Sequence, residues 1–158
     1  MIALKLADAA HTEALGSALA YALQTMDRGL AIALEGNLGA GKTTLARALI
    51  RSLGHQGPVV SPSYTLVEPY EFNTRRLLHL DLYRIGDPEE LEYLGWREWE
   101  PQRDWILVEW PERGAGFLPP FDLSIGLAYR GEERAAKLTA TSEQGERLLR
   151  LIKDSGDF

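Results

Sequence analysis

Cysteine is absent from the 158 residues, which excludes disulfides, zinc–thiolate centres and cysteine nucleophiles. Basic charge is scarce too. Lys and Arg number 17 against 23 Asp and Glu, giving a net charge of −6 and a pI near 5.1, which argues against gripping nucleic acid through a broad basic face. Any contact with RNA is expected to run through a partner. No apolar run is long enough to span a bilayer, and Asp8, His11 and Glu13 interrupt what a signal peptide would need as its apolar core. A cytoplasmic protein without membrane contact is expected. Internal repeats and low-complexity tracts are also missing. The length suits a single domain, 1–158, better than two.

What is present is a complete G-x-x-x-x-G-K-[ST] pattern: Gly36, Asn37, Leu38, Gly39, Ala40, Gly41, Lys42 and Thr43, followed by Thr44. Its glycines let the backbone wrap closely around a polyphosphate with N–H groups turned inward, and Lys42 would reach the terminal phosphates. Thr43 would offer its hydroxyl to a magnesium ion, and a helix starting near Gly41 would aim its positive dipole end at the phosphates. The context fits. The apolar run 30–34 reads as a strand, and 44–53 reads as a helix with Leu45, Ala46, Ala48, Leu49 and Leu53 at helical spacing and Gly54 as its stop.

The other elements follow from the same signals. Ile2, Leu4 and Leu6 alternate as a half-buried strand, and Asp8 is placed to cap a helix reaching about Thr25, with an apolar stripe of Leu15, Ala18, Leu19, Ala22 and Leu23. The dense glycines and prolines of 54–65 mark a demanding loop in which Ser61, Ser63 and Thr65 are candidate sensors of a terminal phosphate, or simply turn caps; His55 reads as an ordinary loop histidine. The segments 64–72 and 76–83, around the turn 73–75, predict an antiparallel hairpin. Asp81 is the one acid in its apolar second arm, either near a metal or in a salt bridge with Arg84 or another arginine. Asp87-Pro88-Glu89-Glu90 is a helix start, with Leu91, Leu94 and Trp96 as buried face, Gly95 as stop and a further turn within 97–103. Four apolar residues ending in Glu109 read as a Walker B strand whose acid meets the magnesium shell, with Trp110 placed to pack on the nucleotide or gate the site. Strands over 122–129 and 134–141 are expected at a sheet edge. A last helix, 143–153, buries Leu148, Leu149 and Ile152 behind a Thr141-to-Gln144 capping box. The expected fold is α/β: a P-loop NTPase domain with a mixed central sheet, a hairpin inserted after the P-loop helix, and flanking helices.

Several linked motifs narrow the choice among P-loop proteins: 36–43, Ser61 to Glu68, His79-Leu80-Asp81-Leu82-Tyr83-Arg84, Asp87 to Glu92, and Glu109-Trp110. Together they resemble the TsaE (YjeE) family of bacterial ATPases, closely over 30–118 and in outline beyond. The resemblance implies work on the threonylcarbamoyladenosine modification next to the anticodon of tRNAs that read codons beginning with A. It implies binding of ATP and magnesium, and docking on the TsaB–TsaD pair, with TsaD the nearer contact. TsaC would make the adenylate upstream, and ATP hydrolysis would let the transfer complex turn over repeatedly. Thr43 and Glu109 would hold magnesium, Asp81 would help assemble the hydrolysis site, and Trp110 would keep it in form. Two positions depart from the family pattern: Ser63 stands where threonine is more usual, and Asn37 where an acid is common.

Rival readings are a small-molecule kinase, disfavoured because a hairpin replaces an arginine-bearing lid, and a nucleotide-gated binding module with negligible turnover. A GTPase would need an Asn-Lys-x-Asp segment, which is missing. Adenine is therefore the expected base, with the loop after Leu6, Arg130 and Arg134 as candidate contacts. Without an evident arginine finger, hydrolysis is expected to be slow alone, since that group can be worth about a thousandfold or more in rate.

Overall fold

In a computed structural model of the chain, which describes residues 1–73, 75–94 and 98–156, seven strands form one mixed sheet. They are β1 (Ile2–Leu6), β2 (Leu30–Glu35), β3 (Val67–Phe72), β4 (Arg75–Asp81), β5 (Trp105–Glu109), β6 (Leu123–Arg130) and β7 (Glu133–Ala140), in the order β1-β7-β6-β2-β5-β4-β3. The central strands β6, β2, β5 and β4 run parallel, and β1, β7 and β3 join antiparallel. β2 and β5 are buried along nearly their whole length, as expected of parallel strands covered on both faces.

The α-helices are α1 (Ala9–Thr25), α2 (Lys42–Ser52) and α3 (Glu143–Ser155). All three contribute to one large apolar cluster, with Leu15, Leu19 and Leu23 of α1, Leu45 and Leu49 of α2, and Leu148, Leu149 and Ile152 of α3. A smaller cluster on Leu78, Leu80, Ile106 and Val108 is covered by Leu82, Ile85, Leu91 and the loop residues Phe117, Leu118 and Phe121. Asp8 caps α1 by accepting from His11 N, and α2 ends in a Schellman closure: His55 N donates to Ile50 O and Gly54 N, at φ +114°, to Arg51 O.

Several expectations are corrected. β6 and β7 are interior strands, because β1 adds beyond β7 with Leu4 opposite Ala136. The cap of α3 is Ser142, whose Oγ accepts from Gly145 N, while the Thr141 hydroxyl donates to Phe121 O. The hairpin's first arm starts at Val67 rather than Tyr64, since Leu66 N bonds back to Pro62 O and Leu66 turns left-handed at φ +67°. Arg75 belongs to β4 rather than the turn; Thr74 lies outside the described residues. Asp87 does cap a helix, but it is a 3-10 helix, Pro88–Tyr93. Gly95, Trp96 and the start of the turn predicted within 97–103 lie outside the described residues.

Candidate functional site

Strand parity decides which side chains meet. Successive residues of a strand point to opposite faces, so Leu77, His79 and Asp81 of β4 share a face, as do Trp105, Leu107 and Glu109 of β5. It is the helix-covered face, since Leu77, Trp105 and Leu107 belong to the large cluster. The parallel register sets Asp81 opposite Glu109, and Glu109 opposite Leu34 of β2. The glycine loop therefore leaves β2 beside two acids, at the carboxyl ends of parallel strands where open α/β sheets bind ligands.

The loop has the backbone that glycine permits: φ is +143° at Gly36, +79° at Gly39 and +106° at Gly41. Ala40 is buried and its N–H closes a turn on Asn37 O at 3.1 Å, while Leu38 is exposed at the tip. Lys42 is buried and folds back, with Nζ donating to Gly36 O at 2.5 Å and Asn37 O at 3.0 Å. Burial lowers the pKa of its ammonium, against the opposing pull of Glu109 and then Asp81. The Trp110 ring lies 4.2 Å from Nζ and meets the Tyr83 ring at 5.0 Å with a 49° tilt, and its backbone is left-handed at φ +58°, an outlier for so bulky a residue.

A cleft of about 230 Å³ opens over these groups, bordered by Gly39 and Gly41 to Thr44 of the loop, Ser63, Asp81, Glu109 and Trp110. Thr43 Oγ1 donates to Glu109 Oε1 at 3.2 Å, so the two residues assigned to magnesium touch. Asp81 Oδ1 accepts from Tyr83 N at 3.0 Å and Oδ2 from Ser63 Oγ at 3.5 Å. Burial raises the Asp81 pKa, only partly offset by the Tyr83 N–H. The Arg84 guanidinium lies over the Tyr64 ring instead of against Asp81. Of the three loop hydroxyls, Ser63 faces the cleft, Ser61 bonds to Ser63, and Thr65 turns away to Glu68. His55 packs edge-on against Tyr70, as an ordinary loop histidine.

His79, buried behind the cleft, and the cleft residues Tyr83 and Arg134 have no individual role, or a different one, in the linear reading. His79 Nε2 is 2.7 Å from Glu109 Oε2 with both side chains buried; the signal was its position two residues before Asp81 on the same strand face. Tyr83 lines the cleft against Trp110. Arg134, a candidate adenine contact, borders Gly41, and among the described residues its buried Nη1 has no hydrogen-bond partner. Arg130 lines a neighbouring groove of about 730 Å³, bordered by Arg134 as well, that begins at Gly36 and runs over β6, β7 and β1.

These residues fit a nucleotide polyphosphate. A guanidinium nitrogen without a hydrogen-bond partner among the described residues, a buried ammonium bonded to loop carbonyls, and a glycine cradle would each suit an anion. Among the described residues no three His, Asp or Glu side chains form a metal cage. Thr43 and Glu109 suit magnesium in the manner usual for that ion, with one or two protein oxygens and the remaining ligands from phosphate and water.

A family model described as threonylcarbamoyl adenosine biosynthesis protein TsaE matches residues 6–138. The chain is 42% identical over 123 residues to the tRNA threonylcarbamoyladenosine biosynthesis protein TsaE of Haemophilus influenzae, covering 78% of each chain. It is 38% identical over 139 residues to that of Nostoc, covering 85% of this chain and 83% of the other. A crystal structure of YdiB from Bacillus subtilis superposes with a TM-score of 0.79 at 27% identity, covering 97% of this chain and 94% of that one. No helix among the described residues is long and apolar enough to cross a membrane.

Proposed function

The chain belongs to the TsaE family and takes part in tRNA threonylcarbamoyladenosine biosynthesis, and on that premise we propose that it is a magnesium-dependent ATPase acting on the TsaB–TsaD complex. The observation that carries the reading is the convergence of Lys42, Thr43, Asp81 and Glu109, from three separate elements, on one cleft.

The N–H groups of the glycine loop and of the first turn of α2 would cradle the phosphates, with Lys42 exchanging its loop carbonyls for phosphate oxygens. Arg134 would pair with phosphate on the Gly41 side, and the groove beyond Gly36 has room for the adenine. Thr43 Oγ1 and Glu109 would hold magnesium directly or through water; when bound, that ion supplies charge neutralisation on the phosphoryl oxygens. Asp81, buried and tied to Ser63 and Tyr83 N, would orient the attacking water. Trp110, its ring 4.2 Å from Lys42 Nζ, would help shield that ammonium from bulk water. The acidic net charge favours contact with tRNA through TsaB–TsaD, chiefly TsaD, rather than directly.

The test is phosphate release from magnesium-ATP by the purified protein, with and without its cognate TsaB–TsaD pair, adding threonylcarbamoyl-adenylate and tRNA in parallel. Strong stimulation by the pair is expected. Tight ATP binding without stimulated release would instead establish a nucleotide-gated binding module.

A further inference from the structure

Glu109 is engaged at both carboxylate oxygens. Oε1 accepts from Thr43 Oγ1 at 3.2 Å, and Oε2 lies 2.7 Å from His79 Nε2. His79 is fully buried and Glu109 is 1% exposed, so neither oxygen's partner is an incidental surface contact. The imidazole reaches Glu109 diagonally, because His79 sits opposite Leu107 in the parallel register while Asp81 sits opposite Glu109.

The terminal torsion of a glutamate is broad and roughly two-fold. A carboxylate at a strand end would therefore present either oxygen to the cleft, in a range of planes. A short bond at Oε2 removes that freedom and leaves Oε1 aimed at Thr43. Assigning the His79 proton to Nε2 lets the ring donate this bond, and Nδ1, which has no hydrogen-bond partner among the described residues, then carries a lone pair rather than a stranded N–H. Metal-binding carboxylates are commonly oriented by such an outer partner, whose loss typically costs about 10–100-fold in metal affinity.

We propose that His79 is a positioning residue: it fixes Glu109 Oε2 so that Glu109 Oε1 and Thr43 Oγ1 form a preset pair of oxygens for magnesium. This rests on the magnesium-ATP reading above.

The test measures affinity for N-methylanthraniloyl-ADP by fluorescence, in EDTA and in magnesium, for the wild type and for His79→Leu, His79→Asn and His79→Gln, with melting temperatures alongside. Leucine fills the space without a donor. Asparagine is polar but short of Oε2, and glutamine carries an N–H about as far out as Nε2. The magnesium-dependent gain in affinity should fall about tenfold or more in His79→Leu and His79→Asn, recover in His79→Gln, and leave affinity in EDTA within about twofold of wild type. An undiminished magnesium gain in both Leu and Asn variants overturns the proposal. So does a parallel loss in EDTA, which marks a purely structural histidine; should His79→Leu fail to fold, the Asn–Gln contrast decides alone. A wild type that binds the nucleotide with no magnesium gain overturns the magnesium reading itself, and the proposal with it.

Discussion

Replacing Asp104 by Asn, which removes a charge and turns one acceptor oxygen into a donor, should destabilise the protein at the end of β5 opposite the cleft. Five donors converge on this fully buried carboxylate: Arg76 N and Nη2, Glu100 N, and Arg103 Nε and Nη2, at 2.9 to 3.3 Å. Burial pushes its pKa up, but the bonds from Arg103, Glu100 N and Arg76 outweigh that and hold it at about 2, against an ordinary 3.8. At about 1.4 kcal/mol per pH unit, the difference is worth about 2 kcal/mol at neutral pH, or about 4–8 °C in melting temperature for a chain of this size. Because the folded-state pKa is depressed, this stabilisation is complete above the ordinary carboxylate range and disappears as pH falls towards the folded-state value. Urea unfolding of wild type and Asp104→Asn, followed by tryptophan fluorescence from about pH 7 to about pH 2.5, isolates the effect, since every other carboxylate is shared and cancels in the difference. The gap should hold down to about pH 4 and lose roughly two thirds of its charge contribution by about pH 2.5. A gap as large in acid as at neutral pH would mean that the loss does not come from the charge, and would refute the reasoning.

Asp81→Asn should do the reverse for stability. A carboxyl raised by burial loses folding free energy as pH rises from 3.8 through its folded-state value, so the variant should melt higher than wild type at neutral pH, with the gain fading in acid, while phosphate release drops. Calorimetry across that range checks it, and a lower melting temperature at neutral pH would show that Asp81 is held by its bonds rather than strained by burial. Lys42→Ala should lose nucleotide affinity by about tenfold or more, the scale of a charge-assisted bond to phosphate; equilibrium titration at unchanged affinity would undermine the whole loop assignment. Glu109→Ala should abolish phosphate release while only weakening ATP binding, and normal turnover would remove Glu109 from the site.

Much of this was legible in the sequence because it is local. The strand before the glycine loop, the helix after it, the Asp8 cap and the acid closing β5 are each fixed by neighbours a few residues away, and the structure places them as read. The cap of α3 fell one residue from its predicted place because Thr141 and Ser142 are both capping residues, and the claim of Phe121 O on the Thr141 hydroxyl lies across the fold. The edge position of β6 and β7 failed for a similar reason: their own apolar content does not disclose that β1, far off in sequence, pairs beyond them. Ser63, rather than Thr65, faces the cleft because the turn at 62–66 swings the chain before β3 begins.

Asp104 and Glu109 bracket the same five-residue strand, and both are buried acids, yet the structure assigns them opposite fates. Two arginines and two backbone N–H groups saturate the first, leaving no oxygen for anything else. The second is held at Oε2 by an imidazole and meets at Oε1 only a hydroxyl, with a lysine held on carbonyls nearby; the hydroxyl and the lysine are groups that can redirect when a cation and a polyphosphate enter. Burial of a carboxylate therefore does not separate a scaffold from a site. What separates them is whether the partners are fixed guanidinium forks, which compete with any ligand, or a weak hydroxyl donor that gains by exchanging the carboxylate for a metal. That distinction resides in the register between β4 and β5, which brings His79 and Asp81 to Glu109 and Arg76 to Asp104, and no single stretch of sequence contains it.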